Sequence, residues 1–379
     1  MAAVLQRERQ PADSLLLNLT LALIVVGIVA VYDASYARTM DIRSFGNDGT
    51  YFLKRQALYA AAGLLAMLSM SRFGYWRLRR MAGPLLVIAV VSLILVWCPG
   101  IGSAKNGAHR WIGWGLVQLQ PSEFAKLALI VYLGALLSRA SFDVRNFWDG
   151  LIVPVSVMGL IALLVEREPD LGTAAIIFLA GTTVLYLAGA RPKHLAAIGA
   201  AAAVVFIAVS LFGHGFRQGR ITTFLHPELD YYGKGYQITR GLVAVGSGGV
   251  SGVGLGAGRE KFYLPEANTD FIFATIAEET GLCGALLVIG LLFMVGRQGF
   301  VIARRTADPF GATLAAGIAA MISWQAVINI AVVTGSIPAT GVPLPFVSYG
   351  GSSLLFLLTG IGILLNISRH PEAQAREQA

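Results

Sequence analysis

The segment Lys261-Phe-Tyr-Leu-Pro-Glu-Ala-Asn-Thr-Asp270-Phe-Ile-Phe-Ala-Thr-Ile-Ala-Glu-Glu279 crowds charge against the start of a long apolar run. A carboxylate at such a border is costly unless it is paired or used. Asp270 precedes Phe-Ile-Phe-Ala and is placed at the start of a helix, with Ala274 and Ala277 or Glu278 below it on one face. Burial there makes a carboxylate a better proton acceptor, so Asp270 is a candidate general base; the competing reading is a plain helix N-cap.

Two further charge groups have spacing that chemistry could use. Between Lys126 and Arg139 only 12 residues are uncharged, too few for a span, so the helix there must include Pro121-Ser-Glu123-Phe-Ala-Lys126. Glu123 and Lys126 then lie three apart on one face and can pair; the alternative is a glutamate on the helix dipole and a lysine snorkelling outward. Glu166-Arg-Glu168-Pro-Asp170 is a charge-dense turn between two apolar runs. Asp170 there either caps the next helix or sets a carboxylate over the same cavity. Asp33, just after the first apolar run, is given no role.

Other features carry less chemistry. Residues 246 to 258 hold seven glycines in 13 positions. They match neither a dinucleotide fingerprint nor a phosphate loop of the GK[ST] kind. A tightly turned loop and backbone contact with a lipid-linked pyrophosphate both stay open. Cys98 and Cys283 have no metal or redox spacing, and the five histidines are dispersed.

The elements that must position these residues are membrane helices. The chain is 56% hydrophobic and 13% charged, with a mean hydropathy of +0.68, which excludes a soluble globular domain. In lipid, backbone groups must be satisfied internally, and long uncharged runs favour helices over a barrel. The fold class is therefore all-α, a polytopic membrane protein with ten transmembrane helices at roughly 15–33, 54–71, 81–98, 121–138, 147–165, 171–189, 194–213, 270–296, 310–334 and 347–367. A cytoplasmic tail, 1–14, precedes one membrane domain, 15–367, and a second tail, 368–379, follows it. No cleavage site ends the first run, so it is read as a retained anchor.

Orientation follows from the basic residues. With the N-terminus inside, cytoplasmic segments hold 15 of the 29 Lys and Arg residues; once the long loop 214–269 is set aside, 8 remain elsewhere. Both termini are expected in the cytoplasm, with the large loop between helices 7 and 8 outside. The net charge of +8 resides on the inner side, so it signals membrane topology and no nucleic-acid partner. From Pro309 to Ser368 no residue is charged, and the Pro- and Gly-rich stretch 334–353 cannot be a continuous helix. Such backbone survives at membrane depth only inside protein or beside a wet cavity, so this loop is expected to dip back.

Taken together, Gly233-Lys-Gly-Tyr-Gln237, the glycine run, Lys261 through Glu279, Gln120 through Lys126, Glu168-Pro-Asp-Leu-Gly-Thr173 and Pro343-Leu-Pro-Phe-Val-Ser-Tyr-Gly-Gly-Ser352 resemble the signatures of the SEDS family (shape, elongation, division and sporulation), which includes FtsW, RodA and SpoVE. The resemblance runs in order along nearly the whole chain. Two positions depart from the family pattern: Asn268 stands where His is common, and Arg240-Gly241 replaces Gln-Ser.

The resemblance implies a peptidoglycan glycosyltransferase that polymerises lipid II at the outer face of the bacterial cytoplasmic membrane. Its implied partners are a class B penicillin-binding protein and membrane lipids. The family's essential aspartate falls on Asp270. Arg110, Trp111, Glu123, Lys126 and Asp170 match further motif positions, and Lys261 and Glu266 are expected to shape the approach to Asp270. Deprotonation of a sugar hydroxyl that attacks an anomeric carbon with inversion needs one positioned base, if the departing pyrophosphate is neutralised. Lys126, Arg110, Lys261 or a divalent cation, Mg or Mn, could do that; no other cofactor is implied. The rival expectation is a lipid II flippase, since intramembrane charges and a broken segment suit transport as well.

Overall fold

The computed structural model describes residues 11–41, 48–98, 100, 102–105, 108–113, 118–212, 223–224 and 234–370. Eleven α-helices run through them: α1 (Ser14–Asp41), α2 (Tyr51–Arg72), α3 (Trp76–Leu95), α4 (Pro121–Leu137), α5 (Ile152–Arg167), α6 (Leu171–Leu187), α7 (Pro192–Phe212), α8 (Lys234–Ser247), α9 (Ile272–Arg305), α10 (Pro309–Val333) and α11 (Gly351–Ser368). A helix occupies each of the ten expected intervals, and α8 is an addition inside the large loop. Six segments are long and apolar enough to cross a membrane by themselves, with Leu171–Leu187 and Pro192–Ala208 as shorter apolar helices. The polytopic helical reading stands.

Helix starts follow local chemistry. Pro121 and Pro309 occupy first-turn positions, where the missing N–H costs nothing. Asp308 accepts from the N–H groups of Phe310 and Gly311, and Asp170 from that of Thr173, satisfying donors that a helix start leaves open. The bundle has an inside and a rim: 72% of the most apolar window is buried in α10 and in α11, against 22% in α3. Helix α4 is almost wholly enclosed, with only Phe124, Tyr132 and Leu137 outside its buried set.

Among the described residues, strand structure is confined to the loop before α4. Strand β1 (Gly102–Lys105) pairs antiparallel with β2 (Ala108–Ile112), with Ser103 opposite Trp111. Alternation along a strand sends Arg110 and Trp111 to opposite faces. Sequence patterning missed the strands because so short a polar stretch has no apolar period to read.

Helix α9 is broken. Gly281 has φ 65° and ψ −164°, which interrupts the hydrogen-bond ladder. The glycine run seals the break. Val253 N–H donates to Glu278 O at 3.0 Å and Gly254 N–H to Glu279 O at 3.0 Å, while Leu282 N–H donates to Gly249 O at 2.9 Å. This approach is possible only without side chains: a Cβ on Gly252 would lie 2.1 Å from Glu279 O, and one on Gly248 2.0 Å from Ala277 O. The tight-turn reading of the run therefore holds, and its backbone groups serve α9. Helix α9 begins at Ile272 and runs to Arg305, beyond the expected 270–296; from Leu282 onward it is already about 36 Å long, enough to cross.

The stretch between α10 and α11 packs back into the bundle as expected. Val342, Leu344, Phe346 and Val347 are buried, and Gly27, near the middle of α1, sits so close that a Cβ there would meet Phe346 O at 2.6 Å. Irregular backbone thus reaches the depth of a helix midpoint, enclosed by protein.

Candidate functional site

Asp270 lies in the turn before α9, two residues ahead of the helix. Phe271 holds the N-cap position, and its side chain makes no cap hydrogen bond. Its peptide is clamped from below. Asn329 Nδ2 of α10 donates to Asp270 O at 2.8 Å and to Val342 O at 2.7 Å. Ser348 Oγ donates to Thr269 O at 2.6 Å, and Tyr349 N–H to Asn268 O at 2.9 Å. The re-entrant stretch is thereby stitched to the segment carrying Asp270. The departure at Asn268 is buried and takes part through its carbonyl.

The carboxylate and a cation border one glycine. A Cβ built on Gly341 would lie 3.5 Å from Asp270 Oδ2 and 3.9 Å from Arg110 Nη1, so both groups approach that position, whose φ of +76° favours glycine. Arg110 Nε donates to Glu168 O at 2.8 Å and Nη2 donates to Pro169 O. The α5–α6 turn therefore orients the guanidinium through its carbonyls. Trp111, on the opposite strand face, is half-buried.

That turn holds two buried carboxylates with different fates. Asp170 is spent on structure: Oδ1 accepts from Thr173 N–H at 3.0 Å, and Oδ2 from Thr173 Oγ1 at 2.9 Å and Gln120 Nε2 at 3.1 Å. It caps α6 and fixes the start of α4. Glu168 is fully buried, and neither of its carboxyl oxygens has a hydrogen-bond partner. Burial pushes its pKa up to about 9; Asp170 adds to the rise and Arg110 opposes it. A neutral acid sits beside Arg110 at neutral pH.

Glu123 and Lys126 pair as their spacing predicted, at 2.9 Å and with 3% and 2% exposure. Lys126 Nζ also donates to Gln325 Oε1 at 2.8 Å, and Gln325 Nε2 donates to Pro343 O at 3.1 Å and Ser353 Oγ at 3.2 Å. Gln325 and Asn329 are four apart on α10, so one helix face links the buried ion pair to the clamp on Asp270. Reading charges alone missed both amides; two amides at i and i+4 within an uncharged span was the available signal.

Lys261 has partners other than those expected. Its Nζ lies 2.7 and 2.8 Å from the two oxygens of Asp33 and 2.7 Å from Glu279 Oε1, and it donates to Gly256 O at 3.3 Å. Hydrogen bonds to Asp33 and Glu279 outweigh the effect of burial, which alone would lower its pKa, and hold it above the ordinary lysine value. Asp33 is the residue whose importance the sequence did not reveal, because its partner is 228 positions away. Glu279 also accepts from the N–H groups of Gly256 and Gly258, and Glu278 from those of Arg259 and Glu260. Glu266 has φ 56° and accepts from Thr269 Oγ1 at 2.9 Å, shaping the turn before Asp270. Arg240 lies over the rings of Tyr236 and Tyr263 and 3.3 Å from Glu260. Among the described residues no three His, Cys, Asp or Glu side chains gather as metal ligands do.

Residues 13–373 match the family model for the cell cycle proteins FtsW, RodA and SpoVE. Stage V sporulation protein E of Bacillus subtilis is 41% identical over 364 residues, covering 96% of this chain and 98% of its own length. A probable peptidoglycan glycosyltransferase FtsW of Trichlorobacter lovleyi is 42% identical over 358 residues, with 94% and 93% covered. Among solved structures, a chain from a peptidoglycan synthase complex described as coordinating polymerization and crosslinking superposes with a TM-score of 0.79 at 28% identity, covering 95% of this chain and 98% of that one. The rod shape determining protein RodA of Thermus thermophilus gives 0.70 at 27% identity, with the same coverage. The chain belongs to the FtsW/RodA/SpoVE family and is a multi-pass membrane protein.

Proposed function

We propose that this family member is a peptidoglycan glycosyltransferase that polymerises lipid II at the outer face of the cytoplasmic membrane, with Asp270 as the general base. The observation that carries the reading is the approach of Asp270 and Arg110 to Gly341, with the Asp270 peptide clamped by Asn329. Asp270 accepts the proton of the acceptor sugar's 4-hydroxyl as that oxygen bonds to C1 of the donor. The C1–oxygen bond to the pyrophosphate breaks, its electron pair leaves with the undecaprenyl pyrophosphate, and C1 inverts. Arg110 is the cation assigned to that charge, because it stands beside Asp270 with its guanidinium oriented by the carbonyls of Glu168 and Pro169. A divalent ion, if used, would arrive on the pyrophosphate.

The ion pair of Glu123 and Lys126 supports the site from below, and Asp170 and Glu266 shape its backbone. Both termini are assigned to the cytoplasm, with ten crossings and the large loop outside. A class B penicillin-binding protein is the proposed partner, in keeping with the synthase complex that the chain resembles. Asp270, Arg110, Glu123 and Asp170 stand at or before the starts of their helices, at one end of the bundle, which favours a surface reaction over a flippase with a midplane site. The deciding measurement is glycan chain formation from lipid II by the purified protein with its partner. Asp270→Asn is expected to abolish chains while binding lipid II, and chains of wild-type amount from that variant would remove Asp270 as base.

A further inference from the structure

The Asp33, Lys261 and Glu279 cluster lies outside the reaction just described, yet it joins three distant parts of the chain. Asp33 is on the outer part of α1, Glu279 stands just before the break in α9, and Lys261 begins the segment that ends at Asp270. Lys261 is 6% exposed and Glu279 5%, while Asp33 is 23% exposed. All of the lysine's contacts are short except that to Gly256 O, and the glycine loop closes on the same group: Gly256 N–H donates to Glu279 Oε2 at 2.9 Å.

The segment 262–270 has few other long-range ties before the Asn329 clamp. Two ties reach it from α8, Gln237 Nε2 donating to Pro265 O at 3.3 Å and Arg240 over the Tyr263 ring; other hydrogen bonds are local, Leu264 N–H to Glu260 O, Thr269 N–H to Glu266 O and Phe271 N–H to Glu266 O. Two fixed ends therefore define its course, the lysine at one and Asn268 to Asp270 at the other. A buried ion pair contributes little net stability, since desolvation offsets attraction; what it supplies is one geometry.

We propose that Asp33 is a positioning residue for the reaction: through Lys261 it latches the segment 261–270 to α1 and so sets where the Asp270 carboxylate stands. This rests on Asp270 being the base. Displacement of a reacting group by about 1 Å costs as much as about 100-fold in rate, so an ion pair remote from the chemistry can govern turnover.

The test uses the full-length protein with its partner and lipid II. Asp33→Asn and Lys261→Met are each expected to lower kcat at least tenfold with KM changed less than about threefold, and the double variant to be no worse than the single ones. Asp33→Glu, which keeps the charge, is expected to recover most of the rate. In the same proteins, with Cys98 and Cys283 replaced, spin labels at Val29→Cys and Phe262→Cys report the distance between α1 and the segment. A shifted or broadened distance in Asp33→Asn, restored in Asp33→Glu, is the expected result. An unchanged distance, or a wild-type kcat in Asp33→Asn, overturns the proposal. A shifted distance together with a fully active Asp270→Asn instead overturns the base reading and leaves the latch without a role in the reaction.

Discussion

At the scale of single residues, environment separates groups that look alike in the sequence. Glu168 and Asp170 are two positions apart, but Asp170 is satisfied by three donors and Glu168 by none. A carboxyl whose folded pKa is raised, here to about 9, binds a proton in the folded state that the unfolded chain has released, so stability falls as pH rises from about 4.5 towards 9. Glu168→Gln removes that dependence. Its stability is expected to match wild type at pH 5 and to exceed it increasingly up to pH 8.5, by about 1.4 kcal/mol for each pH unit, read as a rising difference in thermal midpoint. Parallel melting curves at all pH values would show that Glu168 is ionised in the folded protein. The ion pair of Glu123 and Lys126 makes the opposite case: removing one partner strands a buried charge, at about 3–5 kcal/mol. Glu123→Gln and Lys126→Met are therefore expected to be strongly non-additive in both melting temperature and polymerisation, and clean additivity would mean the pair does not act as a unit.

At the scale of elements, the main lesson lies in the broken helix. The apolar run after Asp270 was legible as a span, and its interruption was not, because nothing local in Glu279-Thr-Gly281 distinguishes a kink from a tolerated helical glycine. The partner that requires it, the glycine run, is some 30 residues earlier and looks by itself like a flexible or phosphate-binding loop. Only the pairing of the two explains both. Asp270, Glu123, Lys126 and Arg110 could be read because charge beside a membrane border is rare; Gln325, Asn329 and Asp33 could not, because their roles depend on distant carbonyls and a distant lysine. The break supplies a sharp contrast between glycines. Gly252→Ala would drive a Cβ into Glu279 O at a φ of +80°, whereas a Cβ on Gly290, in the crossing half of α9, meets nothing within 4 Å. Gly252→Ala is expected to lose most folded yield and activity, and Gly290→Ala to keep both or gain up to about 1 kcal/mol. Equal behaviour of the two in melting and polymerisation assays would contradict the seal between loop and helix.

At the scale of the whole molecule, the sequence points to ten crossings, whereas among the described residues six segments are long and apolar enough to cross by themselves. Helix α4 shows the reason. It has 17 residues, about 25 Å, and carries Glu123 and Lys126, so it would be a poor span in lipid; enclosed by α3, α6, α10 and α11 it faces protein nearly throughout. A central helix needs internal partners more than apolarity, and the ion pair provides them. Helix α6 is as short, at 17 residues, and packs on α5, α4 and α10 with Ile176, Ile177, Ala180 and Val184 buried, whereas α7, at 21 residues, is long enough to span. If all ten cross, the turn 138–146 and the turn 188–191 share one side of the membrane with both termini, and the glycine loop lies on the other. In a background lacking Cys98 and Cys283, a membrane-impermeant maleimide is expected to label Leu255→Cys on intact spheroplasts, and Ser141→Cys and Arg191→Cys only after permeabilisation. Labelling of Arg191→Cys from outside with Ser141→Cys protected would leave a single crossing between the two positions and overturn the count of ten.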